Sequence, residues 1–297
     1  MTVRMPEDTG LPTAGQLGAA DSETEPLRLF RELTEDAWLW ANTAAESPFA
    51  GVLPTLPDEK TQRRIAGKAG NEALVEAHTL ARAFKNLYED HVGPFTESTR
   101  VLDYGCGWGR ITRFFLKDVA RGNLWGIDCN VDLISFCRES NPWSRFELND
   151  PLPPTDLADD HFDLAFSYSV FTHLREDVHL AWLEELRRVV RPGGLLILTV
   201  RPRHFISYCA QLTAESTPQA ALVGLFPDAE QALDDYDSGR FVYAPYRISG
   251  YGEWWGEACI SRAYVEREWA SGAFELLDYV EDPNRFKQNL VVLRASE

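Results

Sequence analysis

The sequence is short of positive charge. It has 29 Lys and Arg against 46 Asp and Glu, a net charge of −17. A surface this acidic repels phosphate backbones and anionic lipid, which argues against general nucleic-acid binding and against a membrane-surface role. A local basic patch around Arg63, Arg64 and Lys68 is still compatible with that balance. The five cysteines, Cys106, Cys129, Cys137, Cys209 and Cys259, form no Cys-x-x-Cys pair and show no metal-ligand spacing. An odd, scattered set reads as reduced thiols in a cytoplasmic protein with no metal site. No apolar run approaches the length that crosses a bilayer. The opening residues, MTVRMPEDTGLPTAG, lack a basic stretch followed by an apolar one, so no secretory signal is expected. No internal repeat is evident.

What is present changes character along the chain. Residues 1–25 are rich in Gly, Pro, Ala, Thr and acid, and read as a flexible tail. From Pro26 the pattern is helical, with Leu29, Leu33, Ala37 and Trp40 on one side. SPFAGVLPTLP interrupts it with three prolines, and a second helical stretch follows, joined from two pieces near Gly67 and Gly70. From about residue 99, short apolar runs alternate with amphipathic helices. RVLDY, NLWGID, SRFELND, FDLAFSYSV and LLILTV read as strands. GRITRFFLKDVA reads as a helix burying Ile111, Phe114, Phe115 and Val119. A second helix carries Leu133, Ile134 and Phe136. EDVHLAWLEELRRVV is a third helix, stopped by RPGG. Strict alternation implies parallel strands and right-handed crossovers, hence a doubly wound α/β sheet. At the end, AFELLDYVED and NLVVLRA read as antiparallel neighbours because their connection is short. Between them and LLILTV lies a stretch dense in Phe, Tyr and Trp whose pattern is blurred.

The first strand runs into VLDYGCGWGR, residues 101–110, with glycines at 105, 107 and 109. Bare backbone at the carboxyl end of a strand suits close approach by a ligand. A dinucleotide fingerprint needs a third glycine where Arg110 stands, and the Walker A lysine is missing, so a P-loop is excluded.

The acidic-x-Gly-x-Gly-x-Gly arrangement from Asp103 to Gly109 resembles motif I of the class I S-adenosylmethionine-dependent methyltransferases. The likeness extends to Asp128 ending strand two in GID and to Asn149 and Asp150 after strand three. FDLAFSYSVFTHL, the helix ending in RVVRPGG, and the closing antiparallel pair complete it. It covers residues 99–201 and 273–297. It implies a seven-stranded, mostly parallel sheet with an antiparallel last strand, a helical cap over residues 26–98, and an insertion over 202–272 that covers a substrate. It implies S-adenosylmethionine as methyl donor and S-adenosylhomocysteine as product. Gly105, Gly107 and Gly109 would let the methionine portion lie on the main chain, and the two carboxylate oxygens of Asp128 would accept the ribose hydroxyls. Asp103 either orients the loop, meets the amino group through water, or caps the turn. Asn149 or Asp150 would meet the adenine amino group. Cys106 and Cys129 would line the site or pack, and Ser167 and Tyr168 of strand four join the same set. Arg64 and Lys68 either approach the donor carboxylate or are solvated.

Displacement at an activated methyl asks mainly for alignment and exclusion of water; a hydroxyl acceptor also asks for a base. His173 in VFTHL and His204 in RPRHF stand where a base could act, against plainer roles in packing and at the surface. The aromatic insertion, with YGEWW and APYR as candidate walls, either receives a medium-sized organic molecule or forms its own small core. The expected function is O- or N-methylation of a small molecule in specialised metabolism. A protein methyltransferase, a non-catalytic binding partner and altered chemistry on the same donor are the rival readings. The absence of an NPPY-type tetrad, with SYSV in its place, argues against amino-base methylation.

Overall fold

The computed structural model describes residues 26–44, 49, 51–215, 220–246 and 254–297. The stretch read above as a tail, 1–25, lies outside them. The chain divides into two compact units, Met1–Asn149 and Asp150–Glu297. Its main sheet has seven strands in the order β3-β2-β1-β4-β5-β9-β8. All run parallel except β9, the last in the chain, which is antiparallel to both neighbours. That is the architecture the alternating grammar predicts.

In the first unit, helix α1 (Glu35–Thr43) starts where Thr34 Oγ1 accepts the Ala37 N–H. It buries Ala37, Trp38 and Ala41, not Trp40. Of the expected face, Leu33 and Ala37 are buried, whereas Leu29, in a 3-10 turn at Pro26–Phe30, and Trp40 are only partly so. Trp38 packs on Phe30 with ring centroids 5.3 Å apart and donates its indole N–H to the Phe114 carbonyl. Helices α2 (Glu59–Ala66) and α3 (Gly70–His91) are the two pieces expected around Gly67 and Gly70. Gly67 ends α2 at φ 68°, where a side chain would be strained.

Strands β1 (Val101–Tyr104), β2 (Leu124–Asp128) and β3 (Arg145–Leu148) follow, with helix α4 (Val131–Ser140) between the last two. The helix expected over GRITRFFLKDVA is instead one 3-10 turn, Thr112–Phe115, flanked by turns. Residues 111–117 are all buried, including Arg113 and Lys117. Arg113 donates to Asn42 Oδ1 and the Pro54 carbonyl. A segment anchored on every side has no amphipathic face, and packing sets its path.

In the second unit, β4 (Phe162–Ser167) leads to helix α5 (Glu176–Val189) and β5 (Val190–Val200). The helix stops just before RPGG, as expected. RPGG lies within β5 as an irregularity where the pairing with β4 shifts. Helices α6 (His204–Gln211) and α7 (Ala229–Asp237) and the hairpin β6 (Val242–Pro245)–β7 (Gly256–Cys259) build the insertion. Phe205, Phe226, Tyr236 and Cys259 belong to its own core, so many of the insertion's aromatics are structural. Strands β8 (Phe274–Val280) and β9 (Asn289–Ala295) close the sheet.

Candidate functional site

The glycine loop is clasped to the end of β2. The Gly105 and Cys106 N–H groups both donate to the Ile127 carbonyl, at 2.8 and 3.0 Å. Gly105, Gly107 and Gly109 all have φ between 57° and 75°, the left-handed region that explains three glycines in five residues. Thr112 donates its hydroxyl to Asp103 Oδ2 at 2.6 Å, so Asp103 orients the loop through the turn that follows. Burial raises the Asp103 carboxyl to about 7 against the opposing Thr112 hydrogen bond, and the nearby Asp128 charge adds to the rise.

Asp128 sits at the hub. Its Oδ2 accepts the Gly107 N–H at 2.9 Å and its Oδ1 the Asn130 N–H at 2.8 Å. Burial pushes its carboxyl up while these amide bonds pull it back. Two carboxylate oxygens offer about four acceptor positions. The Gly107 and Asn130 amides take one position on each oxygen and the Cys129 amide also acts on the carboxylate, so the group is held by backbone and can still accept from a diol. A bare loop beside such a carboxylate fits an adenosyl donor. Asn130 also caps α4, accepting from the Asp132 and Leu133 N–H groups. The Asn149 N–H donates to the Asp128 carbonyl at 3.2 Å, so the end of β3 is fixed against the same residue.

Other expected donor-side residues divide. Cys106 points into a small core with Ile134, Cys137 and Phe146, and burial pushes its thiol well up, so its side chain packs. Cys129 is exposed. Arg64 is exposed, whereas Lys68 pairs with Glu76 at 2.9 Å. The other Glu76 oxygen takes buried Arg110 at 2.8 Å. Arg110 thus serves the cap, which explains a cation where a dinucleotide loop has glycine. The Ile65 side chain lies over Gly107; a Cβ there would meet it at 3.2 Å.

In the second unit, Asp150 is exposed, Ser167 is wholly buried at the end of β4, and Tyr168 beyond it is half-buried. Ser169 adopts φ 64°, a strained value for a residue with a side chain, and is held by Thr199 and Gln288. His204 is exposed and lines an open cavity of about 360 Å³ with Ser207, Glu281 and Phe286. His173 is not among that cavity's walls.

His173 lies in a polar cluster that sequence reasoning missed. Its Nδ1 is 2.8 Å from the Gly256 carbonyl and 3.5 Å from Glu257 Oε1. Glu257, 1% exposed, takes a bidentate bond from Arg201 at 2.7 and 3.1 Å and the Tyr246 hydroxyl. Burial lowers the His173 imidazole below its usual value, the Glu257 charge opposes this, and Arg201 adds to it. The only sequence signal for Glu257 is an acid inside the four-residue run GEAC, 84 residues from His173. Of the candidate walls, Arg247 and residues 251–253 fall outside the described residues; Tyr246 and Trp255 do line the His173 ring. Among the described residues no group of His, Cys, Asp and Glu is placed to hold a metal, and no helix is long and apolar enough to cross a membrane.

Residues 101–194 match the family model described as a methyltransferase domain. A fatty-acid O-methyltransferase of Mycolicibacterium smegmatis is 29% identical over 202 residues, covering 65% of this chain and 72% of that one. A trans-aconitate 2-methyltransferase of Azoarcus sp. is 28% identical over 115 residues, 38% of this chain and 42% of that one. Among solved structures, an S-adenosylmethionine-dependent methyltransferase from Clostridium acetobutylicum superposes with a TM-score of 0.53. It is 12% identical and covers 80% of this chain and 97% of that one, a likeness of fold.

Proposed function

We propose, for a chain that belongs to the class I S-adenosylmethionine-dependent methyltransferases, that its acceptor is a small organic molecule methylated on oxygen or nitrogen. The donor supplies an already activated methyl group. The protein's task is to hold it, orient the acceptor and keep water out. We assign donor binding to the loop from Asp103 to Gly109, to Asp128 for the ribose hydroxyls, and to Asn149 or Asp150 for the adenine amino group. Ser167 and Tyr168 are assigned to donor binding as well. The carboxyl ends of β4 and β5, under the aromatic insertion of residues 202–272, take the acceptor.

One observation carries the reading: Asp128, at the end of β2, holds the glycine loop through the Gly107 amide. Named relatives that act on a fatty acid and on trans-aconitate support a small acceptor, and so does an acidic surface that disfavours nucleic acid. The test follows label from methyl-tritiated S-adenosylmethionine into small-molecule, protein and nucleic-acid fractions of a source-cell extract. Label is expected in small molecules. Asp128→Asn should lower donor affinity about a hundredfold by calorimetry, the scale of one lost hydrogen bond to a charged group. Label confined to protein or nucleic acid would refute the small acceptor; donor affinity unchanged in the variant would refute the assignment of Asp128.

A further inference from the structure

Two thiols lie beneath the glycine loop, and the donor site described above needs neither side chain. Cys106 stands between Gly105 and Gly107, and Cys137 is on the buried face of α4. Both belong to the small core with Ile134 and Phe146. Both sulfurs converge on one oxygen. The Cys137 S–H donates to the Gly107 carbonyl at 3.4 Å, and Cys106 Sγ lies 3.8 Å from the same carbonyl. The two thiols are also within hydrogen-bonding reach of each other. The Phe146 ring backs the pair. A Cβ added to Gly126 would fall 2.8 Å from that ring and 3.0 Å from Cys106 Sγ, and one added to Gly109 would lie 3.5 Å from both the ring and Cys137 Sγ. Packing therefore holds the sulfurs side by side.

The surroundings decide what such a pair can do. A nucleophile or a metal ligand must be a thiolate. Burial opposes the Cys106 thiolate, Cys137 adds to this, and so do the charges of Asp103 and Asp128. A disulfide carries no charge, so these acids do not oppose it. Gly107 then joins the pair to the donor site. Its carbonyl faces both thiols, and its N–H donates to Asp128 Oδ2 at 2.9 Å. A disulfide has no S–H to give that carbonyl. Forming one also draws Cys106 towards α4, because bonded sulfurs stand only about 2.0 Å apart. Gly107 is displaced, and its hold on Asp128 goes with it. Cys106 is 7% exposed and Cys137 1%, so an oxidant meets Cys106 first.

Resting on the donor-site reading above, we infer that Cys106 and Cys137 are a reversible oxidation site, which peroxide closes to a disulfide that withdraws the glycine loop from the donor. The Cys106 sulfur takes one oxygen from hydrogen peroxide, the O–O bond breaks and water leaves. The Cys137 sulfur then attacks Cys106, the S–O bond breaks and a second water leaves. Peroxide gains two electrons and each sulfur gives one. A small dithiol reverses the change by exchange, becoming a disulfide itself. Protonated thiols react slowly, so the oxidation quickens as pH rises.

The test exposes the folded chain to hydrogen peroxide in a Cys129→Ser background, because Cys129 is exposed beside Asp128 and would be oxidised alongside. Free thiols are then blocked and peptides weighed by mass spectrometry. A disulfide joining Cys106 to Cys137 is expected, and dithiothreitol should remove it. Calorimetry should show donor affinity at least about tenfold lower in the oxidised chain and restored on reduction, the scale of one lost hydrogen bond to a charged group. Far-ultraviolet circular dichroism should stay unchanged, which separates a shifted loop from unfolding. Cys137→Ala should bind the donor equally before and after peroxide. Cys137→Ser, nearer in size, repeats that arm if the alanine variant folds poorly. Cys106 and Cys137 recovered unjoined after peroxide would overturn the inference, as would a disulfide that leaves donor affinity intact. Both outcomes leave the donor-site reading standing. A reduced chain that binds no donor would remove both, and that is seen before any peroxide is added.

Discussion

His179 shows how sharply burial alone can tune a single group. It is fully buried in α5 among Phe171, Phe241 and Trp269, with ring centroids 4.6, 5.4 and 4.7 Å away. Neither ring nitrogen has a hydrogen-bond partner among the described residues, and burial lowers the imidazole to about 3. The unfolded chain takes up this proton near 6.5 and the folded one only near 3. Its stability contribution is therefore intact above 6.5 and lost as pH falls from there towards 3. His179→Leu, of similar volume, should match or exceed the wild type at pH 7.5. It should be about 2–3 kcal/mol more stable at pH 4.5 by urea unfolding. A gap that does not widen on acidification would contradict this. His173, six residues earlier, differs because it has partners: a carbonyl, a carboxylate and an indole face.

At the scale of elements, the link between a cap and the donor site can be tested. Asn130 starts α4 with its side chain and gives its own N–H to Asp128. Asn130→Ala should cost about 1 kcal/mol of stability. It should also weaken donor binding severalfold, because α4 and Asp128 share that corner. Denaturation and calorimetry read the two effects separately, and weakened stability with donor affinity intact would uncouple them. The same corner explains what could be read in advance. β1, the glycine loop and Asp128 are local features, each specified by a few adjacent residues, and so were legible. The turn at Thr112–Phe115 was not, because its course is set by Trp38, Asn42 and Pro54, far away in sequence. Glu257 was not legible either. Its partners Arg201, Tyr246 and His173 come from three separate segments, and a lone acid in a short strand carries no period or spacing to mark it.

At the scale of the whole molecule, the net charge of −17 acts on diffusion. The donor is a net cation at neutral pH, and transfer of its methyl removes the sulfonium charge. An acidic protein draws such a donor in and has less hold on the product. The donor association rate by stopped flow should fall at least about threefold between about 20 and about 300 mM salt, as the screening length shrinks through about 10 Å. Association of S-adenosylhomocysteine should change little, and an equal response of both would count against long-range attraction. One further feature has consequences over evolutionary time. Gly256 lies so close to its hairpin partner that an added Cβ would fall 2.2 Å from the Ala244 carbonyl. It also provides the carbonyl that pins His173, one residue from the acid behind that ring. The strand that walls the insertion and the strand that tunes the histidine are one strand. A side chain gained at position 256 would disturb the hairpin and the seat of the His173 ring together, so over generations neither can drift without the other.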